Sequence, residues 1–502
     1  MTNAHTDPSF SRLRAIFWPI KNYELKKFLP MALMKGFILF NWAVLRATKD
    51  ALIITAGESG VEVISFIKTW GVVPVAFLFL FVYARLSNVL KRQQLFYATI
   101  APFLIFYILF ALFLFPNGDF LHPSVESIQA LKSSHPHLQW LFPIYGYWTY
   151  VIFYIFSELW QSVVLALLFW QLANEINTVK EAKRFYALFG VISGCFVAAG
   201  GYFLKFVNQY CQTADGSINI NILLTGVIMA GLAVVAIYAW MNKYVFKDLP
   251  CYKPVKNAKP RERMSLRRSF RYILSSKYLG YIALMILAYG LSINLIEMTW
   301  KHKMRLVYPT SSEYGAAMGG VLMWIGTLSG IFMMIGVNII RIFSWLTSAL
   351  ITPIIFVITG SIFFSFIIFE EQMMGLMGPF LLAMGWTPIM LSIQVGAFQN
   401  VFSKSAKYAL FDPTKEMSYI PLDNELKTKG KAAVDVVGER CGKASGALIQ
   451  QGLLVLTGGT QMTIAPYLAG IVALCLGLWF VAVFGLNRSF SALLKEKYNQ
   501  KY

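Results

Sequence analysis

The sequence predicts an all-α polytopic membrane protein with about twelve transmembrane helices. Three observations predict it. Of 502 residues, 57% are hydrophobic and only 14% are charged, whereas a soluble domain carries about a quarter charged residues. The mean hydropathy is +0.59. Apolar runs recur along the whole chain, and a spanning helix needs about 20 such residues. A soluble protein of two or three domains is excluded, because there is too little charge to cover its surfaces. Alternating barrel-type strands are absent, so backbone groups in lipid must be satisfied within helices.

The expected spans lie near 30–56, 62–86, 94–115, 143–173, 185–207, 221–241, 278–300, 316–339, 346–369, 374–402, 432–457 and 463–486. The first thirty residues are basic and contain no apolar core of a signal peptide, so the first span is expected to serve as its own insertion signal. The 44 Lys and Arg against 24 Asp and Glu give a net charge of +20. In a twelve-span arrangement the bases gather on one face. They fill the N-terminus, the turn with Arg85, Lys91 and Arg92, the turn with Lys180, Lys183 and Arg184, the 242–277 loop, the 404–431 segment and the C-terminus. The opposite face has Glu58, Glu62, Glu370 and Glu371. The positive-inside rule therefore places both termini in the cytoplasm. A charge excess spread over many loops is not a nucleic-acid footprint.

The division follows: a 1–29 N-terminus, a 30–241 six-helix half, a basic 242–277 linker, a 278–486 six-helix half and a 487–502 tail. AKRFYALF (Ala182–Phe189) and AKYALF (Ala406–Phe411) echo each other across the halves. Parallel six-helix repeats of this kind are major-facilitator-like.

Charges inside spans are expensive and mark function. The first span holds Arg46, Lys49 and Asp50. Arg46 and Asp50 are four apart and can pair, which leaves Lys49 as surplus charge; the rival reading puts all three in an outer loop. Glu158 sits deep in the fourth span, either in a transport site or as a protonated structural carboxyl. Asn294, Glu297 and Lys301 share a stripe on the seventh. Lys431, Asp435, Glu439 and Lys443 recur every four residues along one face of the eleventh, with Arg440 beside them; a soluble amphipathic helix is the rival there. Lys301, Lys303 and Arg305 break the positive-inside rule, by snorkelling or as a rim that attracts anions. Several buried cations with a few carboxylates suit a multiply charged anion such as phosphate. Trp42, Phe66, Trp70, Trp160 and Trp300 are candidate base-stacking groups.

Other chemistry is not supported. Gly438–Lys443 reads GERCGK, one residue short of a P-loop, with Ala444 where Ser or Thr belongs. The five cysteines and five histidines show no metal spacing. No catalytic motif marks an enzyme and no cofactor or metal is implied. A proton-coupled symporter for an organic solute, with Glu158 as proton site, is the alternative transporter, and a polytopic lipid or sugar enzyme is the third class.

The stretches LRATKDALI, ISFIKTWGVVP, SELWQSVVLALLFWQLANEI, SINLIEMTWKHK and FSKSAKYALFDPTKEMSYIPLDNELKTKGKAAVDVVGERCGKASGALIQ resemble the non-mitochondrial ATP/ADP translocase family of intracellular bacteria and plastids. The resemblance covers nearly the whole chain. It implies an antiporter in the bacterial inner membrane that exchanges cytosolic ADP, with phosphate in some members, for external ATP; a chain that holds both halves is complete as a monomer. It also implies transport roles for Lys49, Glu158, Glu297 and either Lys431 or Lys443. One departure is GKASGA, where the family pattern is GKSGGA. The family includes carriers of GTP, UTP or CTP.

Overall fold

A computed structural model describes residues 18–246, 276–422 and 431–499. The 1–17, 247–275, 423–430 and 500–502 segments, which include most of the expected linker, lie outside the described residues. So do the side chains of scattered helical residues, among them Lys180, Lys183, Lys431, Asp435, Arg440 and Lys443.

Twelve long helices run up and down through the described residues. They are α1 (Asn22–Thr55), α2 (Val61–Val89), α3 (Arg92–Leu114), α4 (Trp148–Ile176), α5 (Val179–Tyr210), α6 (Ile220–Tyr244), α7 (Lys277–Val307), α8 (Ser311–Ile342), α9 (Trp345–Ile368), α10 (388–418), α11 (Lys431–Thr457) and α12 (Gln461–Asn499). Ten of them are long and apolar enough to cross a membrane. The exceptions are α10 and α11, which carry the charge that lowers their hydropathy. Pro30, Pro102, Pro353 and Pro466 lie inside helices, as membrane helices tolerate.

Local chemistry sets the ends. Thr178 with Glu181 and Thr310 with Glu313 form reciprocal capping boxes that start α5 and α8. Ser276 and Ser344 cap α7 and α9 through their hydroxyls. Gly458, at φ +63, ends α11 in the left-handed conformation that L side chains resist.

The tenth span differs from expectation. Residues Glu370–Met384 form a separate helix. Gly385, at φ +64, breaks it, and Thr387 caps the next helix by accepting from Met390 N. The membrane helix then runs through 388–418, so Lys404, Lys407 and Lys415 are helical residues and not a loop. Their polarity reads as a loop in sequence, yet partners across the bundle hold them. The echo does not superpose either: Ala182–Phe189 starts α5, whereas Ala406–Phe411 lies inside α10.

The two six-helix sets meet in two ways. Helix α5 packs on α8 backbone to backbone, through Gly194, Gly201, Gly319 and Gly326. Helix α2 meets α11 where Gln451 Nε2 donates to Ser65 O at 2.8 Å and to Thr69 Oγ1 at 2.9 Å. Near that same end of the molecule, which carries Glu58, Glu62 accepts from Gln461 N at 2.9 Å and faces His302 Nδ1 at 3.1 Å. Arg305 there donates to Ser59 O at 2.5 Å. Among the described residues, every polar contact between the two sets lies at the centre or toward the Glu58 end. At the opposite end the described ion pairs include Lys27–Glu181 at 2.6 Å and Arg184–Glu24 at 2.5 Å, each within one set.

Candidate functional site

The charges that sequence places inside spans converge on one cluster. Asp50 on α1 is fully buried and accepts from Lys49 Nζ and from Lys301 Nζ, each at 2.8 Å. Glu297 on α7 accepts from Arg46 at 2.6 Å, from Lys301 at 2.8 Å and from Lys404 at 3.0 Å. Lys49 also reaches Glu158 at 3.0 Å and lies 3.7 Å from the Tyr154 ring centroid. Lys301 thus joins the two sets by bridging Asp50 and Glu297, and Arg46 joins them again. Among the described residues four cations face three carboxylates, so these seven side chains carry one net positive charge. Such charges are held in a low-dielectric interior only when each is paired and hydrogen-bonded.

Two side chains open the cluster outward. Glu158 and Arg46 retain 28% and 23% of their side-chain exposure, against 4% or less for Lys49, Asp50 and Lys301. Asn294, one turn from Glu297, is buried against Gly446 of α11 and has no hydrogen bond among the described residues. Among the described residues the Tyr154 and Tyr314 hydroxyls are buried and have no hydrogen-bond partner, and both feel the charges of Asp50 and Glu297.

The pairing corrects several expectations. Asp50 is held by Lys49 and Lys301 and Arg46 turns to Glu297, so the four-residue spacing of Arg46 and Asp50 does not become a pair. Lys49 is not surplus. The Lys301–Arg305 segment is neither a snorkelling end nor an open rim: Lys301 is buried in the cluster, Lys303 pairs with Glu370 at 2.7 Å, and Arg305 ties α7 to the α1–α2 turn. Trp160 and Trp300 donate to Ile38 O and Ile393 O and lock helices together. Trp42 stays close to the chemistry, 5.3 Å below the Arg46 guanidinium. At the Glu58 turn, hydrogen bonds from Gln129 and Lys132 hold the Glu58 carboxyl below its usual range. Lys431, Asp435, Arg440 and Lys443 belong to α11, but their side chains are not among those described.

Sequence reading missed Lys404, because it fell in a segment taken for a loop. Its signal was visible: SKSAK has the polarity of a loop, but the apolar YALF run continues beyond it. The site shows a repeat that the echo did not. The Lys49–Glu158 pair joins α1 to α4, and the Glu297–Lys404 pair joins α7 to α10, with the signs exchanged. Glu158 and Lys404 each precede a π-helical stretch by three residues, Gln161–Phe169 and Lys407–Phe411. Such stretches are rare and recur at functional sites. Lys404→Met is expected to leave Glu297 short of a donor and to lower transport about tenfold. Initial uptake rates normalised to membrane protein check it.

The profile of the TLC ATP/ADP transporter family matches residues 3–490. This chain belongs to that family. It is 46% identical to "ADP,ATP carrier protein 1" of Chlamydia pneumoniae, over 99% of this chain and 98% of the relative. It is 43% identical to "ADP,ATP carrier protein 1" of Rickettsia bellii, over 99% of each. It is 40% identical to "ADP,ATP carrier protein 3" of Rickettsia prowazekii, over 96% of this chain and 98% of the relative. In fold, this TLC-family chain resembles solved transporters. A bacterial homologue of the iron transporter ferroportin, inward-facing, matches with a TM-score of 0.55 at 13% identity, over 94% of this chain and all of the other. A D-xylose–proton symporter matches at 0.52 and 12%, over 91% and 98%.

Proposed function

We propose that this chain exchanges ATP for ADP across a bacterial cell membrane, by alternating access between a 30–241 half and a 278–486 half joined by the 242–277 linker. Family membership and near full-length relatives named ADP,ATP carriers support the substrate. The single observation that carries the mechanism is the buried cluster of Arg46, Lys49, Lys301 and Lys404 with Asp50, Glu158 and Glu297, shared between the halves.

Empty, the carboxylates neutralise the cations. When a nucleotide enters, its phosphates compete with Glu158 for Lys49 and with Glu297 for Arg46. Phosphate oxygens suit the guanidinium fork and the ammonium point charge. Freed carboxylates then repel the anion or pair elsewhere, which changes the contacts that Lys301 makes across the interface. A ligand that changes cross-half pairing has the differential affinity that alternating access requires. Asn294 and the eleventh-helix residues Lys431, Asp435, Arg440 and Lys443 would complete the site. The basic loops support cytoplasmic termini, so the Glu58 end would face outward. One chain contains both halves, which supports a monomer, and co-transport of phosphate fits the surplus positive charge.

The test is uptake of labelled ATP into liposomes carrying the purified protein. Vesicles loaded with ADP should take up ATP several-fold faster than empty ones, and Lys49→Ala should remove that stimulation. Unlabelled GTP, UTP and CTP compete in parallel to rank the bases. Equal uptake with and without internal ADP would sink the exchange reading.

A further inference from the structure

Resting on the alternating-access reading, we propose that Glu62 is a latch that holds the two halves together at the Glu58 end, and that its release opens that end. Glu62 lies in the first turn of α2 and is buried. Its carboxylate crosses to the other half. There Oε1 accepts from Gln461 N at 2.9 Å and lies 3.1 Å from His302 Nδ1. Gln461 is the first residue of α12. A helix start leaves N–H groups without an intrahelical acceptor and carries partial positive charge. Thr460, just before α12, turns its hydroxyl to Thr463 Oγ1 at 3.5 Å. Among the described residues, the acceptor for Gln461 N is therefore a carboxylate of the opposite half.

Two more contacts hold the same place. Gln461 Nε2 donates to Thr299 Oγ1 of α7 at 3.4 Å. Arg305 donates to Ser59 O and feels the charges of Glu62 and Glu58. A Cβ on Gly60 would stand 2.6 Å from Glu62 Oε2 and 2.9 Å from Arg305 Nη1, so the carboxylate and the guanidinium flank that glycine. Glu62 thus stands among three donor groups of the other half: the α12 start, the His302 ring and the Arg305 guanidinium. The latch is also tied to the charge cluster. His302 follows Lys301, which bridges Asp50 and Glu297, and Thr299 lies between Glu297 and Lys301 on α7. A ligand that changes the partners of Lys301 moves the helix that carries His302, Thr299 and Arg305. Alternating access breaks the cross-half contacts of one end in every cycle. Once released, the Glu62 charge and the α12 N–H groups both face water at the mouth, which solvates them.

The experiment reads whether this end is open. Ser65, one turn along α2, is 1% exposed, and its carbonyl accepts from Gln451 of α11. Ser65→Cys in the full chain, expressed in spheroplasts, is treated from outside with a membrane-impermeant thiol reagent. The chain without Ser65→Cys gives the background of native cysteines. Glu62→Gln is expected to raise the labelling rate about fivefold, and Glu62→Asp to leave it nearer the parent value. The apparent KM for external ATP should fall about two- to threefold in Glu62→Gln, because more carriers wait with this end open, and the maximal rate should fall too. Glu62→Cys with Gln461→Cys supplies a second arm. A short bis-methanethiosulfonate should bridge the halves and stop uptake, and a reductant should restore it, which also shows that the variant is folded. Unchanged labelling and KM in Glu62→Gln overturn the latch, as does a bridged protein that still exchanges at the unbridged rate. If Ser65→Cys with Glu62 intact is never labelled during exchange, this end does not open outward, and the parent reading falls with the latch.

Discussion

Replacing Glu297 with Gln is expected to abolish exchange, with uptake falling by at least about 100-fold. Glu297 is buried and accepts from Arg46, Lys301 and Lys404 at 2.6, 2.8 and 3.0 Å. Gln keeps the shape but removes the charge. Three cations then share one neutral amide, which can accept through a single oxygen and whose NH₂ faces ammonium groups. Removing one partner of a buried ion pair costs about 3–5 kcal/mol. The cost has two destinations, folding and transport, and they separate experimentally. Glu297→Asp retains the charge one methylene shorter and should keep measurable exchange. Glu297→Gln combined with Lys404→Met removes one stranded cation, and should recover membrane yield without recovering exchange. Wild-type rates in Glu297→Gln at equal protein would show that the cluster is scaffolding and not a binding site.

The same cluster shows how far residue patterns carry. Charges at Arg46, Lys49, Asp50, Glu158, Glu297 and Lys301 were legible because lipid penalises them wherever they face, so a function-bearing position stands out against an apolar span. Which charge meets which was not legible. Helical spacing favours Arg46 with Asp50, but Lys301 from the other half reaches Asp50 first and Arg46 is drawn to Glu297. Local periodicity knows only neighbours on one helix, and the site is an interface between helices. Lys404 was hidden for a related reason: polarity within a helix that packs against charged partners looks like a loop. The fold itself was legible from composition and run length. The break at Gly385 was not, because the 374–402 run is apolar on both sides of it.

Replacing Gly201 with Val is expected to destroy the folded transporter rather than its chemistry. Helices α5 and α8 approach so closely that a Cβ on Gly201 would lie 2.4 Å from Met323 N and 2.6 Å from Gly319 O. Both are backbone atoms of a helix, so neither can rotate away. The facing glycines repeat the constraint: a Cβ on Gly319 would meet Gly201 O at 2.7 Å, and one on Gly326 would meet Ala198 N at 2.4 Å. Gly194 and Gly201 are seven apart, as are Gly319 and Gly326, so each helix presents its small residues every two turns on one face. Lipid supplies no hydrophobic drive between helices, and close van der Waals packing must hold them. A valine here separates the helices over several turns, and exceeds the roughly 1–3 kcal/mol of ordinary overpacking. Membrane yield and thermal stability of the solubilised protein should both collapse. Gly320 supplies the control, because nothing lies within 4 Å of a Cβ there. Gly320→Ala should match or exceed wild-type stability, by about 0.5–1 kcal/mol, since alanine loses less backbone freedom on folding. Gly320 adjoins Gly319, which faces Gly201, so the contrast separates close approach from helix propensity. Equal stability of Gly201→Val and Gly320→Ala would mean that α5 and α8 do not touch along this face in the membrane.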